Sequence, residues 1–258
     1  MTGSVRTEIR AGVGWLTIDN PARRNALTMR MLADLSESLN KLTADDEVRV
    51  IVLRGEGTTA FAAGADISEF AAQQRSEEVQ RTADEALDGV VTSLFRSDTP
   101  MIAMIHGFCL GAGLAIALGA DIRLADDRSA FAIPAVRLGL GYPLSQGRVL
   151  ARTVGPAYAA ELLLTGAHVD SAEAARIGLV NHVVPTGELL PRTERLAESI
   201  AANAPLSLRA AKLAIRTVDW PEMIPDAERA IRACRGSADA VEGQRAYMEK
   251  RRPHFSGH

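Results

Sequence analysis

The chain opens on a period of two. Val5, Thr7 and Ile9 alternate with Arg6, Glu8 and Arg10, and a second extended run at 14–18 follows Ala11-Gly12; together they predict two linked strands. Asn20-Pro21 breaks the pattern. From Thr28, a residue suited to capping, Met31, Leu35, Leu39 and Leu42 recur at helical spacing. Residues 48–53 are β-branched and mostly apolar, the pattern of a strand buried on both faces. A Gly/Thr/Ala-rich loop is expected over 55–64, and Ser68 is placed to cap the polar helix after it.

Residues 101–119 contain no Asp, Glu, Lys or Arg, a length close to a membrane span. His106 and four glycines (Gly107, Gly111, Gly113, Gly119) interrupt the run, and Asp98, Asp121 and Arg123 crowd its ends. It therefore divides into a buried strand at Met101–Ile105, a Gly-rich turn, and a short helix from about Gly111. Short strands are expected at 122–125 and 130–133, an irregular loop at 138–147, and an extended segment at 179–184. Asp170 with Glu173 forms a capping-box pattern before a short helix. After Pro185 the chain turns Ala-, Arg- and Glu-rich with helical periodicity over 188–252, punctuated by Pro205, Pro221 and Pro225. The expected organisation is a sheet-plus-helix core at 1–187 and a helical region at 188–258.

Composition narrows the function classes. A net charge of −3 and only 4% aromatic residues argue against nucleic-acid binding through a basic face or stacking platform. Cys109 and Cys234 stand far apart and outside any CxxC pattern, which favours a reducing, cytoplasmic setting over a disulfide framework or zinc site. Residues 1–10 carry no apolar segment of a signal peptide. The five histidines show no metal-ligand spacing, so no metal site is expected, and His168 and His182 read as surface or core residues. There is no phosphate-binding P-loop and no nucleophile elbow. Gly111-Ala112-Gly113 begins a dinucleotide fingerprint, but Ile116 occupies the place of its third glycine.

Two Gly/Ala clusters remain: Phe61-Ala62-Ala63-Gly64-Ala65-Asp66-Ile67 and His106-Gly107-Phe108-Cys109-Leu110-Gly111-Ala112-Gly113. Each follows a predicted strand and precedes a helix. Small residues there let a ligand approach the backbone, and the leading amides of a helix lack intrahelical partners and favour negative charge. Two such N–H groups converging on one oxygen would form an oxyanion hole, each donor contributing roughly 10²–10³-fold in rate. Tight packing at strand–helix turns explains the same composition, and the residues alone leave both readings open.

The two clusters, with Asn20-Pro-Ala-Arg-Arg-Asn-Ala-Leu27, Ala120-Asp-Ile-Arg123, Leu163-Leu-Thr-Gly166, the stretch 172–181 and the end of the chain at 242–255, resemble in order the signatures of the crotonase (enoyl-CoA hydratase/isomerase) superfamily. That resemblance implies an α/β fold, a spiral of ββα units with a helical C-terminal trimerisation region, assembled as a homotrimer or hexamer. It implies a lyase or isomerase acting on acyl-CoA thioesters of the kind met in fatty-acid metabolism. Coenzyme A enters as part of the substrate, with no covalently bound cofactor, membrane span or nucleic-acid partner. Ala65 and Ala112 take the oxyanion-hole positions through their backbone N–H groups. Arg24, Ala26, Ala63, Asp66 and Ile67 line the CoA path, and Lys250, with Arg251, offers charge to CoA phosphates; a solvated helix end accounts equally well for that basic pair.

The chain departs from the hydratase pattern at two places. The family's acid–base glutamates fall on Ala115 and Ala135, so ordinary hydration of crotonyl-CoA is expected to be slow. Leu138-Gly-Leu-Gly-Tyr142-Pro143 instead resembles the loop of the superfamily's acyl-CoA decarboxylases, in which Tyr142 would orient the departing carboxylate. Arg137 offers a cation there, with a surface role as the plainer reading. An ordinary pocket-wall tyrosine, and a protein that binds acyl-CoA without catalysis, remain the alternatives.

Overall fold

The computed structural model describes residues 3–66, 77–218 and 220–258. Ile67 and the Ser68 cap lie outside the described residues. Strands β1 (Ser4–Arg10) and β2 (Val13–Asp19) form the expected hairpin, with Arg10 opposite Val13. Ala11 and Gly12 between them take positive φ, 48° and 78°, as a two-residue turn matching the strand twist requires.

Helix α1 (Met29–Ala44) starts where predicted, with the Thr28 side chain accepting from the Met31 N–H at 3.2 Å. Such a cap contributes about 1 kcal/mol. The chain then repeats one unit. Strands β3 (Val50–Gly55) and β4 (Ala60–Ala62) precede α2 (Glu77–Arg96); β5 (Met101–Ile105) and β6 (Phe108–Leu110) precede α3 (Ala112–Leu118); β7 (Ile122–Asp126) and β8 (Ala130–Ala132) precede α4 (Leu144–Thr165). Strand β9 (Val169–Asp170), helix α5 (Ser171–Arg176) and strand β10 (His182–Val184) complete the core.

The first strand of each unit joins a six-stranded sheet, β1-β2-β3-β5-β7-β10, parallel from β2 onward. The second joins a four-stranded sheet, β4-β6-β8-β9, in which only β8–β9 is antiparallel. This alternation between sheets is a spiral of ββα units.

Side-chain alternation divides the burial. Ile51 and Leu53 pack with Leu16, Ile18 and Met101 against Met31, Leu35 and Leu39 of α1 and Leu94 of α2. Val50 and Val52 face the other way, with Trp15, Ile102 and Met104, against Leu189 and Ala197 of α6 (Leu189–Ala201). The central strands are buried on both faces, as their continuous apolar runs demand. Helices α7 (Pro205–Arg216), α8 (Ile224–Arg235) and α9 (Ala238–Glu249) follow. No described helix is long and apolar enough to cross a membrane.

Two local expectations change. The segment 138–147 holds the end of a 3-10 turn (Pro134–Leu138) and the start of α4. Pro143 is the helix N-cap, and the Gly147 N–H already bonds the Pro143 carbonyl at 2.9 Å. The strand expected over 179–184 shortens to β10, because Leu179 and Val180 turn back onto α5 through bonds to the Ala174 carbonyl.

Candidate functional site

The two Gly/Ala clusters meet. A Cβ on Gly64 would lie 3.3 Å from the Leu110 carbonyl oxygen, one on Gly111 3.9 Å from the Gly64 Cα, and one on Gly113 only 2.3 Å from the Ala62 carbonyl oxygen. Backbone therefore packs on backbone where the two turns cross, and any side chain at Gly113, in the first turn of α3, would push α3 away from β4. Gly64 (φ 108°) and Gly111 (φ 49°) also take left-handed turns, which glycine accepts at little cost.

The amides that follow these turns are placed by their neighbours. Leu27 forms a parallel bridge with Ala65: its N–H bonds the Gly64 carbonyl and its carbonyl accepts from Asp66 N–H, both at 2.8 Å. In such a bridge the central residue's own N–H and C=O point to the opposite side, so the Ala65 amide faces away from Leu27. Across the contact, Gly111 N–H is spent on the Ala132 carbonyl at 2.8 Å. Ala112 is the first residue of α3, where an N–H has no intrahelical acceptor.

The segment 20–27 is pinned beside these turns by Asn25, which is 1% exposed. Its carboxamide accepts from Asn20 N–H at 2.9 Å and donates to the Glu56 and Ala60 carbonyls at 3.0 and 2.7 Å. Arg24 and Asn25 both have positive φ, and these bonds hold them in that conformation. Ala63 N–H bonds the Arg24 carbonyl at 3.0 Å. Arg23 grips the buried Asp66 carboxylate at 2.9 and 3.0 Å, and the Arg24 guanidinium lies over the Phe108 ring at 5.1 Å. Arg24, Ala26, Ala63 and Asp66 are thus brought to one place, against the turn bearing Ala65. Lys250 stands elsewhere, exposed at the C-cap of α9. Arg251 beside it is committed to Glu242 at 2.6 and 2.9 Å and to Glu249 at 2.6 Å.

Ala115, one turn into α3, is 2% exposed in the main core. Ala135, in the 3-10 turn, is half-buried against the same core, as is Tyr142. The Tyr142 hydroxyl is buried and finds no hydrogen-bond partner among the described residues. Burial, with a smaller contribution from nearby Cys109, pushes its pKa up, so the phenol stays protonated. Arg137 is turned outward, its Nε donating to the Thr165 carbonyl at 3.1 Å. Gln146, four residues after Tyr142, is 2% exposed with an unpartnered amide nitrogen. Sequence reasoning passed it over because its segment read as loop, which hid the helical spacing. Among the described residues, no group of three or more His, Cys, Asp or Glu is arranged to hold a metal ion.

Residues 8–258 match the family model described as enoyl-CoA hydratase/isomerase. The chain belongs to the enoyl-CoA hydratase/isomerase family. Its relatives in that family include a short-chain-enoyl-CoA hydratase of Clostridium acetobutylicum, 32% identical over 256 residues and 96% of each chain. A crotonyl-CoA hydratase of Syntrophomonas wolfei is 33% identical over 244 residues and 93% of each chain. A crystal structure of an enoyl-CoA hydratase/carnithine racemase from Magnetospirillum magneticum superposes with a TM-score of 0.93 at 33% identity, covering 98% of this chain and 96% of that one. The ββα spiral is therefore the crotonase fold of the enoyl-CoA hydratase/isomerase family.

Several signature motifs of that family serve the fold in this chain. Asp121 accepts from Met101 N–H and from Lys212 Nζ, each at 2.7 Å. Arg123 is buried, donating to the Leu179 and Ala120 carbonyls at 2.8 Å. Burial pulls its pKa down to about 10, which leaves it charged at neutral pH. Asn181 exchanges two bonds with the Arg123 backbone, at 2.8 and 2.9 Å, and so ties the start of β10 to β7.

Proposed function

We propose that this protein binds acyl-CoA thioesters and stabilises their enolates, the backbone N–H groups of Ala65 and Ala112 donating to the thioester oxygen. The observation that carries this reading is the crossing of the two turns at Gly64 and Gly111, which sets both amides on touching backbones. The names of the relatives point to the same substrate class. Charge that develops on oxygen in an enolate is worth most to a preorganised donor pair. Arg24, Ala26, Ala63, Asp66 and Ile67 are assigned to the CoA path, which the hydrogen-bonded pairing of 24–27 with 63–66 supports. Lys250 is assigned to the CoA phosphates, of its own or a neighbouring subunit. A homotrimer or hexamer in the cytoplasm belongs to the same proposal.

Proline at the first position of a helix is tolerated and removes one N–H. Ala112→Pro should therefore delete one donor and keep the fold. Turnover of a panel of enoyl-, dienoyl- and malonyl-CoA, followed by product mass spectrometry, should fall roughly 10²–10³-fold in this variant. Undiminished turnover in Ala112→Pro would remove Ala112 from the mechanism. A wild-type protein that binds CoA esters and turns over none of them would be an acyl-CoA carrier rather than an enzyme.

Decarboxylation is a second reading, favoured by the protonated Tyr142 hydroxyl, unpartnered among the described residues, and by alanine at positions 115 and 135. In that reaction the bond from Cα to the carboxylate breaks and its electron pair becomes the enolate. CO₂ leaves, and a solvent proton adds at Cα. No carboxylate base is needed.

A further inference from the structure

Helices α7–α9 are fastened to the rest of the chain more by charge than by hydrocarbon. Among the described residues, none beyond Ala201, the last residue of α6, belongs to either apolar core. The buried apolar side chains that follow, Ala210, Leu213, Ala227 and Ala246, join neither. Trp220 rests on Phe95 of α2, with 6.0 Å between ring centroids.

The buried polar groups of this seam are cations. Lys212 and Arg216, both on α7, are 6% and 5% exposed. Lys212 Nζ donates to the Asp121 carboxylate and to the Thr99 carbonyl, each at 2.7 Å. Arg216 reaches the Arg96 carbonyl at 3.2 Å, the Asp98 carboxylate at 3.4 Å and the Ser97 carbonyl. Arg209, earlier on α7, pairs with Asp98 at 2.9 Å. Arg96 is the last residue of α2, and the final carbonyls of a helix lack intrahelical donors and carry partial negative charge. Three cations thus share two carboxylates and the end of a helix. Burial lowers the pKa of Lys212 and of Arg216, so both charges are held at a cost in hydration.

Separating an apolar seam exposes hydrocarbon to water. Separating a charged one returns each ion to water, which offsets much of the Coulombic loss. The seam is therefore a place where the fold can open while its two apolar cores stay closed. Helices α7 and α8 pack along each other. Asp239 of α9 holds the Ser256 and Gly257 amides at 2.7 and 2.9 Å, and a Cβ on Gly257 would lie 3.4 Å from Pro205 at the start of α7. The three helices and the tail are thus bound to one another. Thr99 and Asp121 stand just before β5 and β7, whereas the turns at Gly107 and Gly111 lie beyond the other end of β5. Release of α7 leaves those turns in place.

We infer that α7–α9 form an arm that lifts from the ββα core as one unit about residues 202–204, held down by a latch of Arg209, Lys212 and Arg216 on Asp98, Asp121 and the end of α2. The core stays folded when the arm lifts.

Hydrogen exchange of the full-length protein, followed by mass spectrometry of its peptides, tests this. In the wild type, peptides from α7, α8 and α9 should share one rate, at least about tenfold above that of β3 and β5. Lys212→Met keeps the length of the side chain and leaves Asp121 without its cation. It should raise the arm's rate at least about tenfold further, with β3 and β5 unchanged. Arm and core that share one rate in the wild type, or that rise together in Lys212→Met, would overturn the arm, because the molecule then opens as a whole. Three different rates in α7, α8 and α9 would mean fraying helix by helix and would overturn the single unit. An arm rate unmoved in Lys212→Met would overturn the latch. Should Lys212→Met fail to fold, the wild-type rates decide.

Discussion

Ala115 lies between Leu114 and Ile116 on α3, and all three are almost completely buried. A methyl group there adds to the core and supplies no proton. Ala135 is equally inert at the start of its 3-10 turn. Each positioned acid or base contributes roughly 10²–10⁴-fold, though contributions from groups that act together do not simply multiply. Wild-type protein should therefore hydrate crotonyl-CoA at least about 10²-fold more slowly than a relative carrying both glutamates. Loss of the enoyl thioester's ultraviolet absorbance measures this directly. A rate equal to such a relative's would show that Ala115 and Ala135 do not stand where the glutamates stand, or that other groups have replaced them.

Among the elements, those whose burial follows a simple period were legible from residues alone. The face of α1, the doubly buried β3 and β5, and the Asp170 cap, whose carboxylate accepts from Glu173 N–H at 2.8 Å, all follow from spacing. The three-residue strands β4 and β6 were harder than β8, which falls within the strand expected at 130–133, since their pairing partners lie tens of residues away and a Gly/Ala run carries no alternation. Gln146 was lost for the same reason: Gly141, Pro143 and Gly147 mask a helix start that tertiary packing enforces.

The tail after α9 is tied back to that helix through Glu242. Glu242 accepts from Arg251 and from His254 N–H at 2.9 Å, and the Arg251 guanidinium first, then the amide, lowers its pKa from 4.5 to about 2. Because the folded pKa is the lower one, the unfolded chain takes up the proton first as pH falls. The stabilisation is complete above about pH 4.5 and is lost as pH drops through about 2. The His254 amide resonance should titrate with a midpoint near 2. A midpoint near 4.5 would mean that the carboxylate is not held by the tail.

The whole molecule leaves its C-terminal helices unfinished. Ile215 and Val218, in and just after α7, and Val241, Tyr247 and Met248 on α9 are 66–86% exposed, apolar surface of the kind that contacts between chains cover. Lys250, the cation assigned to CoA, sits three residues after Tyr247 and outside the corner where Arg24, Ala63 and Asp66 meet. Both facts have one explanation if another copy covers these helices and brings a Lys250 towards its neighbour's CoA path. Closed rings are the common solution for such head-to-tail contacts. Light scattering after size-exclusion chromatography should then give a mass of three or six times the 27.5 kDa of one chain. Replacing Tyr247 and Met248 together with lysine places two charges in the contact and should shift that mass towards the single chain. In the same variant CoA affinity should fall, because the neighbour's Lys250 is removed together with the contact. A wild-type monomer at all concentrations would reject the assembly. A dissociated variant with unchanged CoA affinity would keep the assembly and return Lys250 to the role of a solvated helix end.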